Sequence, residues 1–373
     1  MYLLNLLSYN NKLFIVFLLK SVFLVLILLG VVAYYILVER NILGSNQRRK
    51  GPNVVGIYGL LQSVADGLKL IVKEQVIPSS ANSIIFSLSP IITFFVGLGC
   101  WAVIPFGEGS VISNINLGIL YIFAVSSLGV YAIIMSGWSS NSKYAFLGAV
   151  RSAAQMVSYE VAFGFSLIPI FIITKSLNLS KIVHFQDLYG WFIIPLFPLA
   201  IIFFIIALAE TNRHPFDLPE AESELVSGYN VEYSSMPFAL FFLGEYLSIL
   251  GISSLFVVLF FGGWSSPFGA NGFFLLGPFW FAIKMVLVGH LFVIVRAVLP
   301  RYRYDQLIGL GWQIFVPLTI VLVLFYAMSF FILHLDNFFL KPHDGPLFEI
   351  WFKNYLKIQE LKEAREALKA SSL

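Results

Sequence analysis

Apolar runs of roughly twenty residues recur along this chain, and that is the length an α-helix needs to cross the hydrocarbon of a bilayer. They lie at about Phe14–Val38, Ile84–Ile104, Gly118–Met135, Met156–Ile173, Trp191–Ala209, Met236–Phe261, Phe279–Leu299 and Ile314–Leu335. Only 12% of the residues are charged and mean hydropathy is +0.87, whereas soluble domains carry about 25% charge. A chain with so little charge cannot cover a water-facing surface. The expected fold is all-α, a polytopic transmembrane helix bundle of about eight spans. Residues 1–335 would form that domain, and 336–373 a peripheral tail, helical in its charged, alanine-rich stretch from Lys357. The first run is longer than the roughly 7–15 residues of a signal-peptide core and no small-x-small site ends it, so it is expected to stay as the first helix.

Several chemistries are excluded early. A net charge of +3, dispersed along the chain, gives no footprint for nucleic acid. The single cysteine, Cys100, cannot form an internal disulfide or supply the ligands of an iron–sulfur cluster. The five histidines (His184, His214, His290, His334 and His343) show no paired helical spacing suited to haem or metal. No internal repeat points to an inverted-repeat transporter.

The basic residues are distributed unevenly. Arg40, Arg48, Arg49, Lys50, Lys69, Lys73, Lys143, Arg213, Arg301 and Arg303 fall in odd-numbered loops, and only Lys175 and Lys181 in even ones. The positive-inside rule then puts the odd loops in the matrix or cytoplasm. The lysine-rich tail argues the other way but carries less weight as a long segment. In the first loop, Gly59–Glu74 sets Leu60, Leu61, Val64, Leu68 and Ile71 on one helical face. An amphipathic helix at the membrane interface is expected there, either lining a ligand path or packed on the bundle.

The fifth loop, ETNRHPFDLPEAESELVSGYNVEY, holds Glu210, Asp217, Glu220, Glu222, Glu224 and Glu232 against Arg213 and His214. Glu160 and Glu245 fall inside spans. A carboxylate there costs about 2.5–3.5 kcal/mol on insertion scales, so such groups face protein or water and tend to be functional. Crowded acids resist simultaneous ionisation, and a water-linked series of them is what a proton path requires. The competing reading is a solvated acidic connector, with structural hydrogen bonds at Glu160 and Glu245. Arg151, Gln155 and Tyr159 form an i, i+4, i+8 stripe, a polar seam against another helix. Lys284 interrupts the seventh span and needs a partner or water, while Arg296 sits near its end, where it could snorkel to the interface.

Four ordered segments are similar to the first membrane-subunit family of respiratory complex I, the proton-pumping NADH:ubiquinone oxidoreductase. They are RRKGPNVVG with GLLQSVADGLKLIVKE, GWSSNSKYAFLGAVRSAAQMVSYE, the fifth-loop string, and RAVLPRYRYDQL. The resemblance implies a subunit at the junction of the peripheral and membrane arms, where it contributes to a ubiquinone chamber. It associates Arg49, Gly51, Pro52, Asp66, Phe238, Arg296 and Arg301 with that chamber. It assigns Glu160, Glu210, Asp217, Glu220, Glu222, Glu224, Glu232 and Glu245 to an acidic route from quinone toward the pumping subunits. Under it, the chain binds no cofactor of its own, ubiquinone is substrate, and FMN and iron–sulfur clusters reside in partner subunits. The implied partners are the other complex I subunits of both arms, ubiquinone and membrane lipids. A component of a membrane hydrogenase or a stand-alone transporter remain as rival readings. The many Phe and Ile residues and the lack of a targeting peptide suggest organellar encoding, hence the mitochondrial inner membrane, with a bacterial plasma membrane as the alternative.

Overall fold

A computed structural model describes residues 2–217, 226–267 and 277–332, and these are helical, with no strand among them. In chain order the helices are α1 (Tyr2–Asn46), α2 (Gln62–Val72), α3 (Ser83–Cys100), α4 (Gly118–Ser139), α5 (Lys143–Thr174) and α6 (Leu179–Tyr189). They continue with α7 (Phe197–Glu210), α8 (Ser235–Phe260), α9 (Gly277–Val298), α10 (Tyr304–Gly309) and α11 (Val316–Ile332). A π-helical turn, Leu310–Phe315, joins the last two. Among the described residues, seven helices are long and apolar enough to cross a membrane, and α7 is a shorter apolar helix. The expectation of about eight spans is therefore met by seven full-length helices, with α7 standing in the place of the fifth expected run but too short for a complete crossing. The proposed tail helix lies outside the described residues.

Helix α8 organises the bundle. Apart from Glu245 and a few serines its residues are apolar all the way round, and it is buried along most of its length. Helix α3 meets it at Gly97 and Gly244. A Cβ on Gly97 would stand 3.2 Å from the Gly244 carbonyl oxygen, and one on Gly244 would stand 3.1 Å from that of Thr93. The two backbones touch because neither position carries a side chain, the usual device for packing membrane helices. Leu28 and Val32 of α1 join the core, whereas Phe23 and Leu26 face outward, as expected of a lipid-facing surface.

Several boundaries differ from the sequence expectation, α1 running on to Asn46 and α7 beginning only at Phe197 among them, and one helix falls outside that expectation. Helix α5 begins at Lys143 rather than Met156, with Ser142 as N-cap accepting from the Ala145 N–H at 3.4 Å. Its polar first part belongs to the helix because the Arg151–Gln155–Tyr159 stripe has partners. Gln155 is fully buried and donates to the carbonyls of Ala209 and Phe216, both at 2.9 Å. Tyr159 donates to the Leu307 carbonyl at 2.9 Å, and the Arg151 guanidinium stands 5.7 Å from the Tyr304 ring centroid. Helix α6, which hydropathy does not mark, fills the connection to α7 and is capped by Asn178.

Although the Asp187 carboxylate is close enough to favour its charge, Lys284 of α9 is buried and makes no direct ion pair among the described residues. It donates to the carbonyls of Phe261, Gly263 and Ser265 at 2.7, 3.1 and 2.6 Å and lies over the Trp191 ring at 4.2 Å. Those carbonyls continue from the C-terminus of α8, where the helix dipole is negative and the last acceptors need donors. Gln186 completes the cap by donating to the Val258 carbonyl at 2.8 Å. Lys284→Met should therefore strand buried carbonyls and destabilise by about 3 kcal/mol. Less assembled protein on native gels and faster thermal inactivation would show it; unchanged yields of both would argue against this capping role.

Candidate functional site

Helix α7 is short because it begins late, at Phe197 rather than Trp191, and it stops at Glu210. Its 14 residues rise about 21 Å, short of the roughly 30 Å of hydrocarbon. Its C-terminal carbonyls must therefore be satisfied by protein. Thr211 turns its hydroxyl back to Ala207 at 3.0 Å, and Gln155 takes Ala209. This break delivers Glu210 to a buried position and lets residues 211–217 fold inward. Phe216 is buried and stacks on Tyr302 with centroids 5.6 Å apart, and the Tyr302 N–H donates to the Pro215 carbonyl at 3.1 Å. The beginning of the fifth loop is thus packed against the segment after α9 and is no solvated connector.

Arg213, on this inward fold, is only 8% exposed. Its guanidinium pairs with Glu39 of α1 at 3.1 Å and with Glu245 of α8 at 2.8 Å, and lies 4.6 Å from the Tyr246 ring centroid. Burial alone would weaken its charge, but Glu245 and Glu39 outweigh burial and hold the group well above its ordinary pKa. Glu39 also takes the Tyr246 hydroxyl at 2.7 Å and a close ion pair from Arg296 of α9. Arg296 therefore does not snorkel: its charge turns inward to Glu39. Two carboxylates and two guanidiniums balance inside the bundle, drawn from α1, the fifth loop, α8 and α9.

Glu245 faces a second feature. It lines a cavity of about 120 Å³ together with Glu210, Asn212 and Cys100, walled by α3, α4, α5 and α8. Glu210 is 9% exposed, and its Oε2 has no hydrogen-bond partner among the described residues. Glu160 of α5 is close enough to repel the charge on Glu210. The described acids of the predicted route therefore gather as Glu245, Glu210 and Glu160. Glu232 is half-buried and not on the cavity wall. Glu220, Glu222 and Glu224 lie outside the described residues.

Asp217 sits apart from the cavity, paired with Arg301 at 3.3 Å. Burial raises its pKa, and Arg301 only partly opposes that. His214 is held below its ordinary value, first by burial and then by Arg301. In its neutral form its Nε2 can accept from the Arg301 guanidinium at 3.3 Å.

The predicted quinone residues divide into three places. Arg296 belongs to the Glu39 cluster and Arg301 to the Asp217 pair. The remainder lie around the first loop. Arg49 is exposed and its N–H donates to the Gly44 carbonyl at 2.8 Å. Gly51 presses on Asn41, leaving no room for a side chain, and Pro52 follows it. Asp66 of α2 pairs with Arg40 at 2.7 Å and accepts from Gln62 at 3.0 Å. Leu61, Val64, Leu68 and Ile71, on and beside α2, are exposed. Ser235, at the start of α8, caps the far end of α2 by donating to the carbonyls of Leu70 and Lys73 at 3.0 and 2.6 Å. That joint brings the first loop close to Phe238, which packs on Phe242 with centroids 4.5 Å apart.

Glu39 and Tyr246 are functional candidates that the sequence did not single out. The first apolar run ends at Val38, which leaves Glu39 as the first residue of a loop. The available signal was the Glu39–Arg40 pair directly abutting a run already long enough to span.

The chain is similar to known proteins over most of its length. The family profile described as NADH dehydrogenase matches residues 19–327. The H-type subunit of NADH-quinone oxidoreductase from Paramagnetospirillum magneticum is 58% identical over 306 residues, 82% of this chain and 89% of that protein. NADH-ubiquinone oxidoreductase chain 1 of Chondrus crispus is 58% identical over 307 residues, 82% of this chain and 94% of that protein. The corresponding protein of Arabidopsis thaliana is 58% identical over 298 residues, covering 80% and 91% respectively.

Proposed function

The chain belongs to the NADH dehydrogenase family and is a membrane subunit of an NADH:quinone oxidoreductase, and on that premise we propose that it walls part of the ubiquinone chamber and couples quinone reduction to proton translocation through its buried acids. The observation that carries this reading is the continuity of charge at Glu245. One side of that carboxylate pairs with Arg213 and hence Glu39; the other faces the cavity it shares with Glu210.

Quinone reduction uses two electrons, delivered from partner subunits, and two protons, giving quinol. Proton uptake beside Arg296 and Glu39 changes the local charge. Because Glu39, Arg213 and Glu245 are coupled inside a poorly solvated bundle, a proton gained or lost at one shifts the affinity of the others. Glu210 and Glu160 continue the series, with Asp217, Glu220, Glu222, Glu224 and Glu232 supplying its loop portion. An apolar isoprenoid tail would enter along the exposed face of α2 and past Phe238, which offers apolar surface with a few polar groups at its edge. The FMN and iron–sulfur clusters belong to partner subunits of the peripheral arm. The setting is a mitochondrial inner membrane or a bacterial plasma membrane.

A photoreactive quinone analogue is expected to crosslink within Arg48–Glu74 or near Phe238, with excess inhibitor suppressing the label. Crosslinks confined to other subunits would reduce this chain to scaffold. The odd loops are proposed to face the matrix or cytoplasm. Lys143→Cys and Ser110→Cys, both at exposed positions, should then react with an impermeant maleimide from opposite sides. Reaction of both from one side would overturn the topology.

A further inference from the structure

We propose that the outward face of α9 around His290 docks a transmembrane helix of a neighbouring subunit, one that presents a hydroxyl donor from Ser, Thr or Tyr. Helix α9 packs mainly on α8 and α1. Its other side carries Ile283, Val286, Leu287, Leu291 and Ile294, all exposed, the stripe of a surface turned to lipid or to another helix. His290 interrupts that stripe and is half-buried. Its ring Nδ1 stands 2.9 Å from the Val286 carbonyl, the ring's one hydrogen bond among the described residues. A carbonyl only accepts, so Nδ1 carries the hydrogen and Nε2 of the neutral ring is left as an acceptor.

Depth selects the occupant. His290 lies about 20 Å along the axis from Gly277 and about 12 Å from Val298, well inside the hydrocarbon. An imidazole lacks the long stem with which Lys or Arg reaches the interface. Lipid tails offer no donor, and headgroups are out of reach. A lone water needs roughly two to four polar partners, and the stripe supplies only Nε2. A quinone headgroup presents carbonyl acceptors, which cannot pair with an acceptor. A hydroxyl held on a second helix satisfies the ring, as polar side chains do between packed membrane helices. The chain is a subunit of an NADH:quinone oxidoreductase, so the helices of other subunits are at hand.

The test uses the intact oxidoreductase in its membranes, with p-benzoylphenylalanine placed at Leu287 or Leu291, beside His290 on the same face. Photolysis should join this chain, from both positions, to one transmembrane segment of one other subunit. Mass spectrometry should find a Ser, Thr or Tyr in that segment. His290→Phe keeps a flat ring and removes the acceptor. After detergent challenge, the fraction of complexes lacking that subunit on native gels should rise about fivefold. His290→Gln, whose amide oxygen takes the place of Nε2, should bring the loss back to within about twofold of the unaltered complex. Turnover per intact complex should be unchanged in both, because His290 lines neither the acidic cavity nor the Glu39 cluster. Cross-links only to lipid or within this chain, full retention in His290→Phe, or His290→Gln faring no better than His290→Phe would each overturn the proposal. The cross-linking is read in chains that keep His290, so it decides the matter if the substitutions fail to assemble. Failure of the quinone path or of the relay would leave this surface standing.

Discussion

Arg213→Met should leave little assembled oxidoreductase. The substitution keeps an unbranched, similarly long side chain but removes the guanidinium between Glu39 and Glu245. Glu39 retains Arg296 and the Tyr246 hydroxyl. Arg213 is the only ion-pair partner of Glu245 among the described residues. Removing one member of a buried pair costs about 3–5 kcal/mol because the other charge stays behind, comparable to much of a domain's net stability. Native-gel content and thermal inactivation of the residual complex measure the loss. Arg213→Met/Glu245→Gln is the decisive companion. With the stranded carboxylate neutralised, assembly should recover by about 2 kcal/mol or more relative to the sum of the single changes. Turnover should remain low, since both groups belong to the charge series. A double variant no better assembled than Arg213→Met would mean that this pair is not what holds α8 to the fifth loop.

The span pattern was legible because bilayer thickness imposes a length, and apolar runs report that length directly. Gln155 and Tyr159 were legible as a seam because a helical stripe of polar residues inside a bundle must find partners. Position within the bundle was harder to read. Arg296 looked like an interface residue because a long basic side chain near a helix end can reach water, and only the approach of α1 shows that it turns inward. Glu39 was missed for the complementary reason: hydropathy ends a span at its first charge, whereas burial continues when another helix supplies the countercharge. Lys284 needed a partner, as its type demanded, but carbonyls at a helix end carry no sequence signature. The fifth-loop acids were visible as a cluster. The separation of Glu210, on the cavity wall, from Asp217, on Arg301, depends on where α7 stops, and Gln155 and Thr211 satisfy its last carbonyls there.

Glu210→Gln should separate stability from coupling. The amide has nearly the shape of the carboxyl, and Glu210 Oε2 has no hydrogen-bond partner among the described residues to lose. The amide brings no charge beside Glu160, so assembly should match the unaltered protein. The amide cannot take up or release a proton. If the series from Glu245 runs through Glu210, inhibitor-sensitive NADH:quinone turnover and proton translocation should fall together, roughly a hundredfold if proton transfer there is rate-determining. The fall should be parallel because quinone chemistry cannot complete while its charge response is blocked. Glu232→Gln is the internal comparison: its carboxyl is off the cavity wall, so its effect should be smaller. Proteoliposomes reporting both rates, normalised to native-gel content, make the measurement. Loss of pumping with normal turnover would place Glu210 downstream of the coupling step. Normal values of both would remove it from the relay and leave its burial a consequence of where α7 ends.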